Sequence, residues 1–381
     1  MMAKLALFIT NLEGGGAERV LVTLANQFVH QGHQVDFLLA EKKGVYLKEV
    51  SPEVNLIDFG VRRMLRTLKP LQHYLRGESP DGLLSSLPYP NLFAVLAARL
   101  ARMKTTVVVR EANTPSFRIK QNPMKDKVFE RLIIQFAYPH ADYVVAVSKG
   151  VQQDLYRYRC IPEDRITLIY NPAYTQRLLQ LRDEPVDHGW LTAGQPPVVL
   201  GVGRFDHQKD FATLMRAFAL VRADRAARLL LLGEGPLRQE LEALAQQLGI
   251  TNEVSMPGFV ENPFAYMRRA AVFVLSSHYE GFPNVLVQAM ACGCPVVSTD
   301  CPSGPCEVLD NGRYGYLVPV GDAEGMAKAI KRVLDGIAPS VPEEWLLQFH
   351  EVHVAQQYLD RLLCRRSNSS NKKEVKIPCK K

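Results

Sequence analysis

Two cations and one acid carry the clearest chemistry in this chain of 381 residues. Arg204 and Lys209 lie in one short stretch, Gly203-Arg204-Phe205-Asp206-His207-Gln208-Lys209, just after the apolar run 198–201. An arginine fork and a lysine point charge with separate reach match the two charges of a diphosphate. Two ordinary surface cations are the plainer alternative. Glu280 follows a second apolar run, 271–275, within Ser276-Ser277-His278-Tyr279-Glu280-Gly281-Phe282-Pro283-Asn284-Val285-Leu286-Val287-Gln288. This pattern reads as a buried strand emptying into a loop and then a helix N-terminus, the edge where open α/β sheets bind ligands. A carboxylate there suits sugar hydroxyls better than a phosphate. The alternative is that Glu280 only complements the helix dipole.

A third feature is Gly14-Gly15-Gly16, between the apolar stretch 4–9 and a helical repeat of Val20, Leu21, Leu24, Ala25 and Phe28. Glycines at a helix N-terminus let backbone N–H groups approach a phosphate with no Cβ in the way. The dinucleotide fingerprint Gly-x-Gly-x-x-Gly is absent, and a plain flexible turn has the same composition. A fourth is Arg110-Glu111-Ala112-Asn113-Thr114-Pro115, polar groups placed where the strand 105–109 ends.

Such residues meet only if a scaffold brings many strand ends to one edge. Apolar runs at 4–9, 35–40, 82–85, 105–109, 143–147 and 166–169 alternate with helical segments such as 91–101, and Pro70 reads as a helix start. A polar, Pro-rich stretch at 173–197 reads as a linker. The alternation then restarts with strands at 198–201, 228–232, 271–275 and 296–300 and helices at 237–248 and 263–270. The rhythm predicts an α/β protein of two Rossmann-like, doubly wound parallel-sheet domains. The expected boundaries are 1–175 and 190–344, with a helix at 345–365 running back to the first domain and a disordered tail at 366–381.

Composition agrees with two soluble cores, at 47% hydrophobic and 22% charged residues. No apolar run reaches the ~20 residues that span a bilayer. The first ten residues have too short an apolar core for a signal peptide and read as a strand, which places the protein in the cytoplasm. The seven cysteines agree with a reducing compartment; Cys292, Cys294, Cys301 and Cys306 lack the Cys-x-x-Cys pairs of structural zinc and read as core thiols. The net charge of +7 is uneven: +7 over 1–175, −4 over 176–366 and +4 over the tail. That asymmetry argues against nucleic acid as a partner and for an anionic surface facing the first domain, such as the inner membrane. Two basic stretches point the same way: Arg62, Arg63, Arg66, Lys69 and Arg76, then Arg118, Lys120, Lys125, Lys127 and Arg131. A solvated surface helix is the alternative for each.

With these motifs assembled, the chain resembles the family 4 retaining glycosyltransferases of the glycogen-synthase-like superfamily, built as two facing Rossmann-like domains (GT-B). The matching pieces are Gly14 to Arg19, Gly203-Arg204 with Lys209, Gly233-Glu234-Gly235, Pro257-Gly258-Phe259, Glu280 to Asn284 and Pro295 to Pro305, in family order over about 1–365. The resemblance implies that Arg204 and Lys209 hold a nucleotide-sugar diphosphate and stabilise the leaving nucleotide without metal or cofactor. Gly15 and Gly16 would approach from the first domain, with Gly203, Gly233 and Glu234 in the donor site and Gly258, Phe259 and Val260 beside the base. Glu280 matches the first acid of the family's Glu-x7-Glu pair and would bind the donor sugar, with Gly281, Phe282, Pro283 and Asn284 around it. Glu111 and Asn113 would line the catalytic cleft. Retention would follow from front-face attack, with the leaving phosphate as base.

Three departures stand out: Gln288 replaces the second acid, Ala112 a frequent His, and Cys306 a frequent cation. An amide at 288 can still bond ribose hydroxyls, without charge. The implied reaction moves a hexosyl or N-acetylhexosaminyl unit from a UDP-sugar (GDP-sugar the lesser option) to a cell-envelope glycan, lipid-linked, at the cytoplasmic face of the inner membrane. The alternative is a non-catalytic or weakened paralogue that binds nucleotide-sugar or a partner transferase.

Overall fold

The computed structural model describes residues 2–121, 128 and 130–364. Lys125, Lys127 and the tail 366–381 lie outside these residues. Two fully parallel sheets are present, one of seven strands and one of six. The first is built from β1 (Lys4–Ile9), β2 (Gln34–Leu39), β3 (Asn55–Asp58), β4 (Gly82–Ser86), β5 (Thr106–Glu111), β6 (Tyr143–Ala146) and β7 (Ile166–Leu168). Its spatial order is β3-β2-β1-β4-β5-β6-β7. The second uses β8 (Val198–Val202), β9 (Arg228–Leu232), β10 (Val254–Gly258), β11 (Val272–Leu275), β12 (Val296–Thr299) and β13 (Tyr316–Val318), ordered β10-β9-β8-β11-β12-β13. Both orders reverse direction beside the first strand of each unit, so ligands are expected at the carboxyl ends of β1/β4 and β8/β11. The loops carrying Gly14–Gly16, Arg204 and Glu280 leave from those ends.

Helices cover the sheets, which is why the strands read as unbroken apolar runs rather than alternating ones. Around the first sheet these are α1 (Gly16–His30), α2 (Leu68–Glu78), α3 (Pro88–Ala101), α4 (Pro115–Gln121) and α5 (Lys149–Tyr156). Next come α6 (Gln176–Leu181), then α7 (Phe211–Arg222), α8 (Arg238–Gln247), α9 (Pro263–Arg269), α10 (Asn284–Ala291), α11 (Pro305–Val308) and α12 (Ala323–Leu334). The chain ends in α13 (Glu343–Leu346) and α14 (Glu351–Leu362). α1 buries Val20, Leu21, Leu24, Ala25 and Phe28, the stripe its sequence spacing predicts. α10 stops where Gly293 takes φ +76° and Cys294 N–H bonds back to Ala289 O, a glycine-terminated end.

One apolar core is shared by the two units. Val107, Val109 and Val144 of the first sheet belong to the same buried cluster as Val198, Phe273 and Leu286 of the second. At its centre the Tyr170 ring lies 5.5 Å from Phe282 and 5.3 Å from Phe349, and Phe282 lies 5.6 Å from Phe349. Truncating such a buried aromatic costs about 3–5 kcal/mol. The units are therefore packed together along one side of the cleft.

Several elements differ from the sequence expectation. β5 runs on to Glu111 because its pairing with β6 continues to Glu111 opposite Ala146, so Arg110 and Glu111 are strand residues. Helix α2 begins at Leu68, leaving Pro70 in its first turn, where a missing N–H breaks no helical bond. The stretch 173–197 is not slack: Thr175 caps α6 by accepting from Leu178 N–H, and Leu178 is buried. The expected single helix at 345–365 is broken, because His350 is extended (φ −73°, ψ 135°) and forms a parallel bridge to Tyr174. The backbone there donates to Tyr174 O instead of continuing a helix, and only α14 packs back on α1 and β5. The short strand β3, with only Leu56 and Ile57 as apolar residues, was not expected.

Candidate active-site cleft

The loop after β8 is held as a rigid shelf. Asp206 accepts from Lys209 N–H at 3.1 Å, Ser276 Oγ donates to Lys209 O at 2.7 Å, and Gln208 Nε2 donates to Tyr279 O at 3.0 Å. Asp210 then caps α7 by accepting from Thr213 N–H and Oγ1. The shelf aims Lys209 across the strand end, where its Nζ meets Glu280 Oε1 at 2.6 Å. Ser277 Oγ donates to the same oxygen at 2.7 Å. Glu280 is buried, and Arg204 is exposed with no ion pair among the described residues. Lys209 and Glu280 thus form an oriented pair, and Arg204 is a cation free to close on a ligand. Glu280 does not cap α10, which starts at Asn284 with no side-chain cap; its carboxylate is bonded to Lys209 and Ser277 instead.

Two long-range approaches bring the first unit to this edge. Gly15 is the N-cap residue of α1 and offers no side-chain cap. A Cβ placed on Gly16 would lie 3.4 Å from Asn284 Nδ2, so the α1 and α10 N-termini meet at one point. Their dipoles favour an anion there, and the Glu18 carboxylate already lies beside Gly15 at the α1 end. Asn171 Nδ2 donates to Asn284 Oδ1 at 2.8 Å across the same junction. One turn along α10, Gln288 is buried with its amide unbonded among the described residues. It sits in the wall of a cavity of about 90 Å³ shared with Arg19, Glu49, Arg177 and Phe264.

The rest of the seam is tight. Thr114 Oγ1 donates to Glu280 O at 3.3 Å and lies 2.8 Å from Ser303 Oγ. Phe117 stacks on Tyr279 with ring centroids 6.1 Å apart. Glu307 accepts from Lys149 N–H at 2.9 Å, and burial pushes its carboxyl above the ordinary range. Gly281 is required sterically, since a Cβ on it would fall 2.0 Å from Ala112 O and 2.8 Å from Asn113 Cα. Phe282 and Pro283 are buried on the same seam.

Several expected site residues sit otherwise than the resemblance implied. Glu111 does not line the cleft: it is fully buried, accepting from Arg118 Nη1 at 2.7 Å and Tyr138 Oη at 2.7 Å. Its carboxylate also accepts from Asn113 N–H, so it shapes the turn that carries Asn113 and Thr114. Burial, reinforced by Glu111, holds the Tyr138 phenol well above its ordinary range. Glu234 pairs with Arg238 at 2.7 Å, and its Oε1 lies 2.9 Å from where a Cβ on Gly258 would sit. Gly203, Gly233 and Gly258 line up along adjacent strand ends, where Gly233 N–H donates to Gly258 O at 2.9 Å. Phe259 is exposed and Val260 half-buried beside them.

Thr114, Ser303 and Asn171 were missed because each is a lone polar residue whose partner lies over a hundred positions away. Their sequence signals were the strand ends that carry Thr114 and Asn171 and the Pro295 to Pro305 stretch that holds Ser303. Ala112 presents a carbonyl to Gly281, so no side chain is needed there. The Cys306 thiol lies 3.3 Å from Asn311 Oδ1. No cluster of three or more His, Cys, Asp or Glu side chains able to hold a metal ion occurs among the described residues. Cations, helix N-termini and one paired carboxylate at a single edge can bind a diphosphate and orient an attached polyol.

Comparison with known proteins accounts for the arrangement. Residues 196–336 match the model described as glycosyl transferases group 1, and residues 14–177 match glycosyltransferase family 4. The chain is 32% identical over 342 residues to the N-acetylgalactosamine-N,N'-diacetylbacillosaminyl-diphospho-undecaprenol 4-alpha-N-acetylgalactosaminyltransferase of Campylobacter jejuni, covering 88% of this chain and 91% of that one. It is 28% identical to the lipopolysaccharide core biosynthesis glycosyltransferase LpsE of Rhizobium meliloti, covering 84% and 86%. Among solved structures, Anabaena HepE in complex with UDP-glucose superposes with a TM-score of 0.77 at 19% identity, covering 94% of this chain and 99% of that one. This last likeness is one of fold, GT-B.

Proposed function

The chain belongs to the family 4 glycosyltransferases, and on that premise we propose that it moves a hexosyl or N-acetylhexosaminyl unit from a UDP-sugar to a lipid-linked cell-envelope glycan, with retention and without a metal. The observation that carries this reading is the Lys209–Glu280 pair facing the junction of the α1 and α10 N-termini. In this reading Arg204, Lys209 and the helix N-termini take the growing charge of the diphosphate, and Glu280 holds sugar hydroxyls. The acceptor oxygen bonds to the anomeric carbon on the face from which the diphosphate oxygen departs with its electron pair. The acceptor proton passes to that departing oxygen. The lipid-linked acceptor is supported by the names of the Campylobacter and Rhizobium relatives.

No helix among the described residues is long and apolar enough to cross a membrane. A peripheral position on an anionic leaflet is supported by the first unit's surface. Segments 59–77 and 82–110 contain no Asp or Glu, and Leu65, Leu100 and Phe136 are exposed among arginines. The test is incubation with radiolabelled UDP-sugars and undecaprenyl-diphosphate glycans. Transfer is expected to persist in EDTA, and the product keeps the donor's anomeric configuration by NMR. Absence of transfer and hydrolysis from every donor refutes it. A non-catalytic relative is the second reading, favoured by the unbonded amide of Gln288; it predicts UDP binding without turnover and a gain of turnover in Gln288→Glu.

A further inference from the structure

Arg110 is a buried cation that the reaction scheme above does not use. It points to the opposite face of β5 from Glu111, as strand alternation requires. Its guanidinium is 1% exposed, and no carboxylate comes within ion-pair distance among the described residues. Burial pulls its basicity down, against support from the Tyr358 phenol first and then from Glu111 and Glu18. Nη1 donates to Ser86 Oγ at 2.9 Å, Nη2 donates to Asn171 Oδ1 at 2.6 Å, and the buried Tyr358 phenol lies beside the guanidinium. A buried charge with no carboxylate bonded to it is expensive for a fold to keep.

The hydrogen bonds leading from it have a direction. A guanidinium only donates, so Asn171 must present Oδ1 to it and Nδ2 to the other side. That Nδ2 donates to Asn284 Oδ1 at 2.8 Å, which turns Asn284 Nδ2 outward. Asn284 Nδ2 has no acceptor among the described residues and lies against Gly16, where the α1 and α10 N-termini meet. Successive bonds of one polarity strengthen one another.

We infer that Arg110 and Asn171 are positioning residues: a polarised relay that fixes Asn284 Nδ2 as a donor to the diphosphate of the nucleotide-sugar. This rests on the donor reading proposed above. The anion adds negative charge on the side of a cation that has no bonded carboxylate, and the relay fixes which atom of Asn284 faces it.

Asn171→Asp tests the relay with almost no change of shape. It places a carboxylate on Arg110 and leaves Asn284 no donor to receive from. Calorimetric titration should show UDP binding weakened about tenfold, the size of one charge acting over about 12 Å at an effective dielectric of roughly 20. Uridine binding should be unchanged and the melting temperature equal or higher. Arg110→Met should give the same split between UDP and uridine. Loss of UDP and uridine affinity in equal measure, or no loss of either, overturns the inference. So does a rise in acceptor KM alone, which would assign the relay to an acceptor phosphate. A wild-type protein that binds no UDP overturns the donor reading itself, and the relay with it.

Discussion

Replacing Gly281 by Ala should separate donor binding from transfer. A methyl carbon there would sit 2.0 Å from Ala112 O and 2.8 Å from Asn113 Cα, both main-chain positions. Ordinary contact needs roughly 3.5 Å, so the facing segments must part by about 1.5 Å. Overpacking of this kind costs about 1–3 kcal/mol. The easiest escape is to lift the 112–114 turn off the 280–283 loop, which would break the Thr114 bonds to Glu280 O and Ser303. Lys209 and Arg204 lie on the second unit and keep their shelf, so UDP affinity should change little. Misplacing the facing residues by an ångström lowers turnover by about a hundredfold. Guanidinium denaturation, UDP calorimetry and steady-state transfer on the same preparation read all three quantities. Wild-type stability and turnover in Gly281→Ala would show that the seam is not as close as described.

Other outcomes follow from the same geometry. Arg204→Ala and Lys209→Ala should each lower kcat/KM by at least about a hundredfold. They should differ in stability: Lys209→Ala leaves buried Glu280 without its cation and costs about 3 kcal/mol, whereas exposed Arg204 costs almost nothing, as thermal melts will show. Burial pushes the Cys292 and Cys301 thiols up to about 12, so at pH 8 iodoacetamide should label exposed Cys364 in the native protein and spare those two until unfolding, by peptide mass mapping. Burial raises the Glu307 carboxyl above its ordinary 4.5, so its contribution to stability is whole below that pH and is lost as pH rises through the raised value. Denaturation from pH 4 to 8 should therefore show wild type losing stability relative to Glu307→Gln, and a gap widening the other way would contradict the burial.

Much of this was legible in the sequence because it is local. A buried parallel strand writes itself as an unbroken apolar run, and the glycine loop and the 280–288 stretch each follow one directly. What stayed hidden depends on distance. Glu111 reads like a cleft acid until Arg118 and Tyr138 are seen to consume its carboxylate. Thr114 and Ser303 have no shared pattern, although they are bonded across 189 positions. The break before α14 was invisible because the competing partner for that backbone, Tyr174, lies far upstream.

That break has a consequence for how the protein can be divided. The chain crosses between units twice, and the crossings are tied where Tyr174 N–H donates to Phe349 O and Glu351 N–H donates to Tyr174 O. The last helix is thus a piece of the first half delivered by the second: Val354, Tyr358 and Leu362 complete the core around β1 and α1. Any shortened chain ending before Glu351 should damage the amino-terminal half most, while a free-standing first half would need α14 supplied as a separate peptide.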